Sequence, residues 1–95
     1  MREERTQTLF QAIADTQRRK ILDVLKSGEK SVAEINEHID VSGATLSHHL
    51  NLLKQAELVR VRRAGQKRIY TLNVSAMEQL LIHFKQLLSG DNDAP

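Results

Sequence analysis

No cysteine and no tryptophan occur among the 95 residues of this chain. The lack of cysteine rules out disulfides, thiolate metal sites and thiol-based redox switching. Aromatic residues amount to one Tyr and two Phe within 40% apolar residues in all. A single domain of this length then buries a modest core, and marginal stability alone or an oligomer is expected. Also missing is an apolar run of membrane-spanning length. The first residues, MREERTQ, are charged where a secretory signal needs an apolar stretch, so a soluble cytoplasmic protein is expected. No nucleophile with a nearby base, no glycine-rich phosphate loop and no paired carboxylates at useful spacing can be found. Neither catalysis nor a cofactor is expected.

What is present begins with an uneven charge distribution. The formal net charge is only +2, yet between positions 41 and 73 six basic residues (Lys54, Arg60, Arg62, Arg63, Lys67 and Arg68) stand against one acid, Glu57. That half is a candidate anion-binding surface, although a solvated face is the plainer reading of any charge run taken without context.

Helical spacing of Leu9, Phe10, Ile13 and Ala14 predicts a first helix over about residues 5–14. Asp15 or Thr16 can cap a second, over about 16–27, with Ile21, Leu22 and Leu25 as its apolar stripe and Gly28 as its stop. Gln17, Arg18, Arg19 and Lys20 crowd its first two turns. That is poor placement against the helix dipole and hints at a role beyond local stability, although a solvated side chain is the plainer reading of each one singly. Ser31-Val32-Ala33-Glu34 has the form of a capping box and opens a third helix, about 31–39, with Val32, Ile35 and Ile39 inward.

The fourth helix, about 42–56, is the stretch SGATLSHHLNLLKQA. Leu46, Leu50 and Leu53 fall at i, i+4 and i+7 and form one apolar stripe. On the other side lie Ala44, Ser47, His48, Asn51 and Gln55, each small or able to hydrogen-bond without a permanent charge, a face suited to reading polar edges. Ser42 can cap the helix, and the free N–H groups of the first turn favour an anion such as a DNA phosphate. A short helix, a tight connection and a second helix with a polar outward face make the helix-turn-helix arrangement.

Beyond Ala56 the apolar period changes from helical to two. β-Branched residues on both sides of Ala64-Gly65-Gln66 predict a β-hairpin over about 58–73. Arg62, Arg63, Lys67 and Arg68 crowd its tip and flanks with no acid among them, an arrangement that makes most sense if an anionic partner neutralises them. Protection of a sheet edge by charge explains one or two such residues more easily than four. Ser75-Ala76-Met77-Glu78 reads as a second capping box, opening a last helix over about 75–89 in which Met77, Leu80, Leu81, Phe84, Leu87 and Leu88 make a wide apolar face. Gly90 ends it, and an acidic tail occupies 90–95. With Leu9, Phe10 and Ile13 of the first helix, that face is a candidate dimer interface; packing on its own core is the equal alternative.

The chain thus reads as one domain, residues 1–95, mainly α with a small β-hairpin, in the order ααααββα. It resembles the ArsR/SmtB family of small bacterial winged-helix repressors over roughly Leu9 to Leu88. The resemblance is carried by ADTQRRKILDVL, by VSGATLSHHLNLLKQAELV and by RRAGQKRIYTLN. One departure is Thr16, where the family often has proline; both suit a helix start. The resemblance implies a winged helix-turn-helix homodimer, built on the first and last helices, that binds an inverted repeat in double-stranded DNA upstream of its own operon and blocks transcription. By position, the family's base contacts fall on Gly43, Ala44, Ser47 and His48, with Thr45 among the nearby backbone contacts. Arg62, Arg63, Lys67 and Arg68 of the wing would hold phosphates or enter a minor groove, and Gln66 at the tip would reach that groove too. His49, at the border of the Leu stripe, is expected to be a structural histidine satisfied by a neighbour.

The family's usual inducer sites do not carry over. The Cys-x-Cys of the arsenic type aligns with Ser31-Val32-Ala33, and the zinc ligands of the last helix align with Asn73, Ser75, Gln86 and Ser89, none of them a normal zinc ligand. Two-cysteine persulfide sensing fails for want of cysteine. His38, His48, His49 and His83 form no i, i+4 pair. In length and character the chain resembles the metal-site-free, SdpR-like autorepressors, some of which are relieved by sequestration on a membrane partner. A repressor with no metal bound, controlled by its own abundance or by a protein partner, is therefore expected, with no insertion of its own into the membrane. The alternatives are a metal-responsive repressor with a non-standard site, a winged-helix protein-interaction module and a non-specific DNA binder.

Overall fold

The computed structural model describes residues 3–89, so the expected stop at Gly90 and the acidic tail lie outside the described residues. Its elements are α1 (Glu3–Ile13), α2 (Thr16–Leu25), β1 (Lys30–Ser31), α3 (Val32–Asn36), α4 (Gly43–Gln55), β2 (Val59–Ala64), β3 (Lys67–Leu72) and α5 (Val74–Ser89). The expected order ααααββα lacks one strand. Lys30 and Ser31 pair antiparallel with Tyr70 and Ile69, which makes a three-stranded sheet in the order β1-β3-β2. Two residues are too few to show a period of two, and this strand exists because β3 offers a second edge beyond the hairpin.

One apolar cluster joins all the helices and the sheet. Ile21, Leu22 and Leu25 of α2, Ile35 of α3 and the stripe Leu46, Leu50 and Leu53 of α4 are buried in it. Leu53 has no exposed surface at all, and each buried Leu of this kind contributes about 2 kcal/mol. On α1 the inward residues are Leu9 and Ala12, whereas Ala14, which the spacing counts as the last residue of the helix, is exposed. Helix α1 ends at Ile13, so Ala14 already belongs to the turn into α2.

The caps set the boundaries. Asp15 caps α2, accepting from the N–H groups of Gln17 (2.8 Å) and Arg18 (3.2 Å). Ser31 and Glu34 form the expected capping box on α3, which is shorter than the sequence suggests and continues as a turn that still buries Ile39. The second expected capping box does not form: α5 begins one residue earlier, and Asn73 takes the cap, its Oδ1 accepting from the Ala76 N–H at 3.3 Å. Asn73 is held there because its own N–H donates to the Leu58 carbonyl and its Nδ2 donates to the Glu57 carbonyl at 2.7 Å. These bonds tie the start of α5 to the end of α4, a tertiary constraint that outweighs the local Ser75 signal.

Helix α4 closes with Glu57 in the left-handed region, at φ 61. The Glu57 N–H donates to the Lys54 carbonyl and the Leu58 N–H to the Leu53 carbonyl, the pair of bonds of a Schellman stop. The crowded cations at the start of α2 also find an account here. Arg18 donates to the Ala12 and Gln11 carbonyls (2.7 and 2.9 Å), and Arg19 donates to the Ile13 carbonyl (2.6 Å). They complete the C-terminus of α1, where the dipole favours cations, at the expense of the N-terminus of α2.

Candidate nucleic-acid interface

Helix α4 presents its surface because its other side is anchored. Leu46, Leu50 and Leu53 sit in the core, so Ala44, Ser47, His48 and Asn51 are turned to solvent and all are exposed. At the helix start, the Ser42 hydroxyl accepts from the Thr45 N–H at 3.1 Å and donates to the Thr45 hydroxyl oxygen at 3.0 Å. Ser42, Gly43 and Thr45 are exposed around it. A Cβ built on Gly43 would meet nothing within 4 Å, so nothing inside the protein requires glycine at that point.

A second layer fixes this helix from beneath. His49 is 7% exposed, and its Nδ1 lies 3.2 Å from Arg18 Nη1. A guanidinium can only donate, so Nδ1 accepts and the imidazole proton sits on Nε2, which faces the Asp15 carboxylate at 3.8 Å. His49 is thus a structural histidine, as the sequence suggests. Burial works to raise the Asp15 pKa, but the N–H donors of Arg18 and Gln17, with the nearby imidazole of His49 and the charge of Arg18, outweigh it and hold the carboxyl below its ordinary value. Through Arg18 the C-terminus of α1 is bonded to α4. Sequence reasoning had not foreseen that link; the signal for it was a cluster of cations at a helix N-terminus with no local partner.

Strands β2 and β3 pair from Val59↔Leu72 to Ala64↔Lys67, leaving Gly65 and Gln66 as a two-residue turn. Gly65 stands first in that turn at φ 67, as a type II′ hairpin requires. Arg63 lies directly opposite Arg68, so like charges face each other across the strands. Arg62, Arg63, Gln66, Lys67 and Arg68 are all exposed. Arg62 is not unpaired, as the sequence suggests: it bonds Glu29, just before β1, at 2.8 Å. The unforeseen strand β1 is what brings Glu29 to the wing. Beneath the tip, the Ser31 N–H and hydroxyl, with the charges of Lys30 and Lys67, hold the Glu34 carboxyl below the usual range.

Comparison with known proteins matches residues 15–61 to the family described as bacterial regulatory protein, arsR family. The transcriptional repressor SdpR of Bacillus subtilis (strain 168) is 43% identical over 86 residues, covering 90% of this chain and 96% of SdpR. The chain belongs to the ArsR family. Two solved structures superpose on it. A possible transcriptional regulator for arsenical resistance gives a TM-score of 0.77 at 32% identity, over 82% of this chain and 81% of that one. The homodimeric winged helix-turn-helix DNA-binding domain of a possible ArsR-family regulator from Mycobacterium bovis gives 0.71 at 28% identity, over 94% and 82%. As an ArsR-family member the chain is a DNA-binding regulator of transcription and not an enzyme.

The ArsR chain's expected dimer residues divide into two groups. Leu9 and Leu80 are buried in the chain's own core, which corrects their assignment to an interface, and Phe10, Ile13 and Met77 pack against that core half-buried. Leu9 and Leu80 point inward because α1 and α5 pack on the same bundle that α2 and α4 build. Leu81, Phe84, Leu87 and Leu88 remain exposed, joined by Val74 and Ile82, which the helical stripe left out. Phe10 packs edge-on to Phe84 with ring centroids 4.9 Å apart, so α1 and α5 present their apolar residues together. Among the described residues no three His, Asp or Glu side chains come together as metal ligands would, and no helix is long and apolar enough to cross a membrane.

Proposed function

We propose that this ArsR-family chain is a cytoplasmic, homodimeric repressor that binds an inverted repeat in its own upstream DNA and carries no metal or thiol sensor. The observation that carries the reading is the surface of α4. Its uncharged hydrogen-bonding row is held outward by three buried leucines, beside a wing that sets Arg63 against Arg68. Ser47 and His48 make the base-edge hydrogen bonds, with Asn51 behind them. Ala44 offers an apolar contact, and Gly43 allows close approach to the duplex. Ser42 and Thr45 at the helix start, with Arg62, Arg63, Gln66, Lys67 and Arg68, hold the backbone or the minor groove. The exposed residues Leu81, Phe84, Leu87 and Leu88, with Phe10, Ile13 and Met77 beside them, cover one another in the dimer. Likeness to SdpR over 96% of that repressor, and to a homodimeric DNA-binding domain, supports this assignment. For the missing sensor the support is residue chemistry. The zinc-ligand positions hold Asn73, Ser75, Gln86 and Ser89, and Asn73 uses both amide groups on the α5 cap and the Glu57 carbonyl. Control of repression then falls to the chain's own abundance or to a protein partner.

Fluorescence anisotropy on the chain's own upstream DNA and on a scrambled duplex, with zinc and with EDTA, tests this. A strong preference for the upstream DNA that zinc leaves unchanged is expected. Ser47→Ala or His48→Ala should reduce that preference by about 1–3 kcal/mol per contact. Equal affinity for the two duplexes, or release by zinc, would overturn the reading.

A further inference from the structure

A notch of about 350 Å³ lies between the second half of α4 and the wing. Asn51 and Lys54 line it from the helix, and Val61, Arg62, Arg63, Arg68 and Tyr70 from the strands, Arg62 already paired to Glu29. The register explains the gathering: Val61 lies opposite Tyr70 and Arg63 opposite Arg68, so these four side chains share the face of the hairpin that looks toward α4.

Three features of this notch call for an anion. Among the described residues the ion pairs of Lys and Arg belong to Arg5, Lys26 and Arg62, which leaves Lys54, Arg63 and Arg68 without an acidic partner. Two of those three are cross-strand neighbours, and their repulsion falls when negative charge sits between them. The Tyr70 ring is buried, at 5% exposed, but its hydroxyl is not one of the buried unpartnered polar atoms of the described residues; it opens onto the notch and is free to donate to an anion there.

We propose that this notch is a phosphate clamp. The Tyr70 hydroxyl and the Lys54 ammonium donate to one phosphodiester of the bound duplex, and Arg63 and Arg68 flank it. The proposal rests on the DNA-binding reading above and adds Lys54 and Tyr70 to it. Ser47, Asn51 and Lys54 fall at i, i+4 and i+7, so one side of α4 runs from the base-reading end into the notch, about 10 Å along the axis. The clamp then sets the register of the reading residues against the duplex. A free phosphate would meet the same donors; continuity with the reading row favours the duplex.

Tyr70→Phe removes the hydroxyl, breaks no bond within the described residues and keeps the buried ring; Lys54→Gln, at an exposed position, is the companion variant. Each should weaken binding to the upstream and the scrambled duplex by the same factor, on the order of tenfold for Tyr70→Phe, with the melting temperature unchanged. Lys54→Gln should also lower the slope of log affinity against log salt by about 1. Wild-type affinity of both variants for both duplexes would overturn the clamp and leave the repressor reading standing, whereas a wild-type protein that binds neither duplex would overturn both. Inorganic phosphate, titrated against backbone amide resonances, separates the two sources. Saturable binding lost in Tyr70→Phe while duplex affinity is unchanged would assign the notch to a free anion and overturn the duplex assignment.

Discussion

Replacing Asp15 by Ala removes one carboxylate that does two jobs. It caps α2 through the N–H groups of Gln17 and Arg18, and it faces the buried His49 at 3.8 Å. Loss of an Asp cap costs about 0.5–2 kcal/mol, and loss of negative charge at a helix N-terminus about 0.3–1 kcal/mol more. Arg18, Arg19 and Lys20 make that first turn unusually positive, which places Asp15→Ala just above the middle of the combined range, at about 2 kcal/mol. For a domain of this size the melting temperature should fall on the order of 10 °C, measured at fixed protein concentration because a dimer melts by mass action. Asp15→Asn keeps a capping oxygen and should lose less than half as much. The folded carboxyl titrates below its ordinary value of 3.8, so the stability it supplies is complete above that value and is lost as pH falls through the lower folded pKa. The gap between wild type and Asp15→Asn should therefore close in strong acid. A melting temperature for Asp15→Ala within a couple of degrees of wild type, or a gap that persists in acid, would refute the reasoning.

Four further outcomes are expected. Glu57→Gly relieves a non-glycine residue at φ 61 and loses only a largely exposed ion pair with Arg5, so denaturant unfolding should show a gain of about 0.5–1 kcal/mol. Glu29→Gln frees Arg62 and removes an acid beside the wing. Duplex affinity at low salt should rise a few-fold while thermal stability stays put, and the gain should vanish at high salt. Leu53→Ala opens a cavity at a residue with no exposed surface and should cost about 2–5 kcal/mol. Leu81→Ala leaves the protomer's core intact, and sedimentation should show weaker self-association.

The parts of the fold legible in the sequence are those governed by local rules. Leu46, Leu50 and Leu53 could be assigned to the core, and Ser47, His48 and Asn51 to the surface, because a helix repeats every 3.6 residues and its two sides are written in alternating chemistry. Ser42 and the Ser31–Glu34 box were legible because a cap is satisfied within four residues of chain. The hairpin turn at Gly65 could be read for the same reason.

What only the tertiary structure decided depends on residues far apart in the chain. Strand β1 is too short to carry a pattern, and it exists because β3 has an edge to offer. Asn73 displaced Ser75 as the cap of α5 because the Leu58 and Glu57 carbonyls hold it in place. The ion pair of Arg62 with Glu29 and the bond of Arg18 to His49 join positions 33 and 31 residues apart. Leu80 and Leu81 look alike in the helical stripe, yet one is buried and the other exposed, because burial is set by where α1 and α2 pack against α5. The sequence by itself determined that α4 turns an uncharged hydrogen-bonding face outward and that the wing is basic; the packing of distant elements decided which of those charges are paired within the protein.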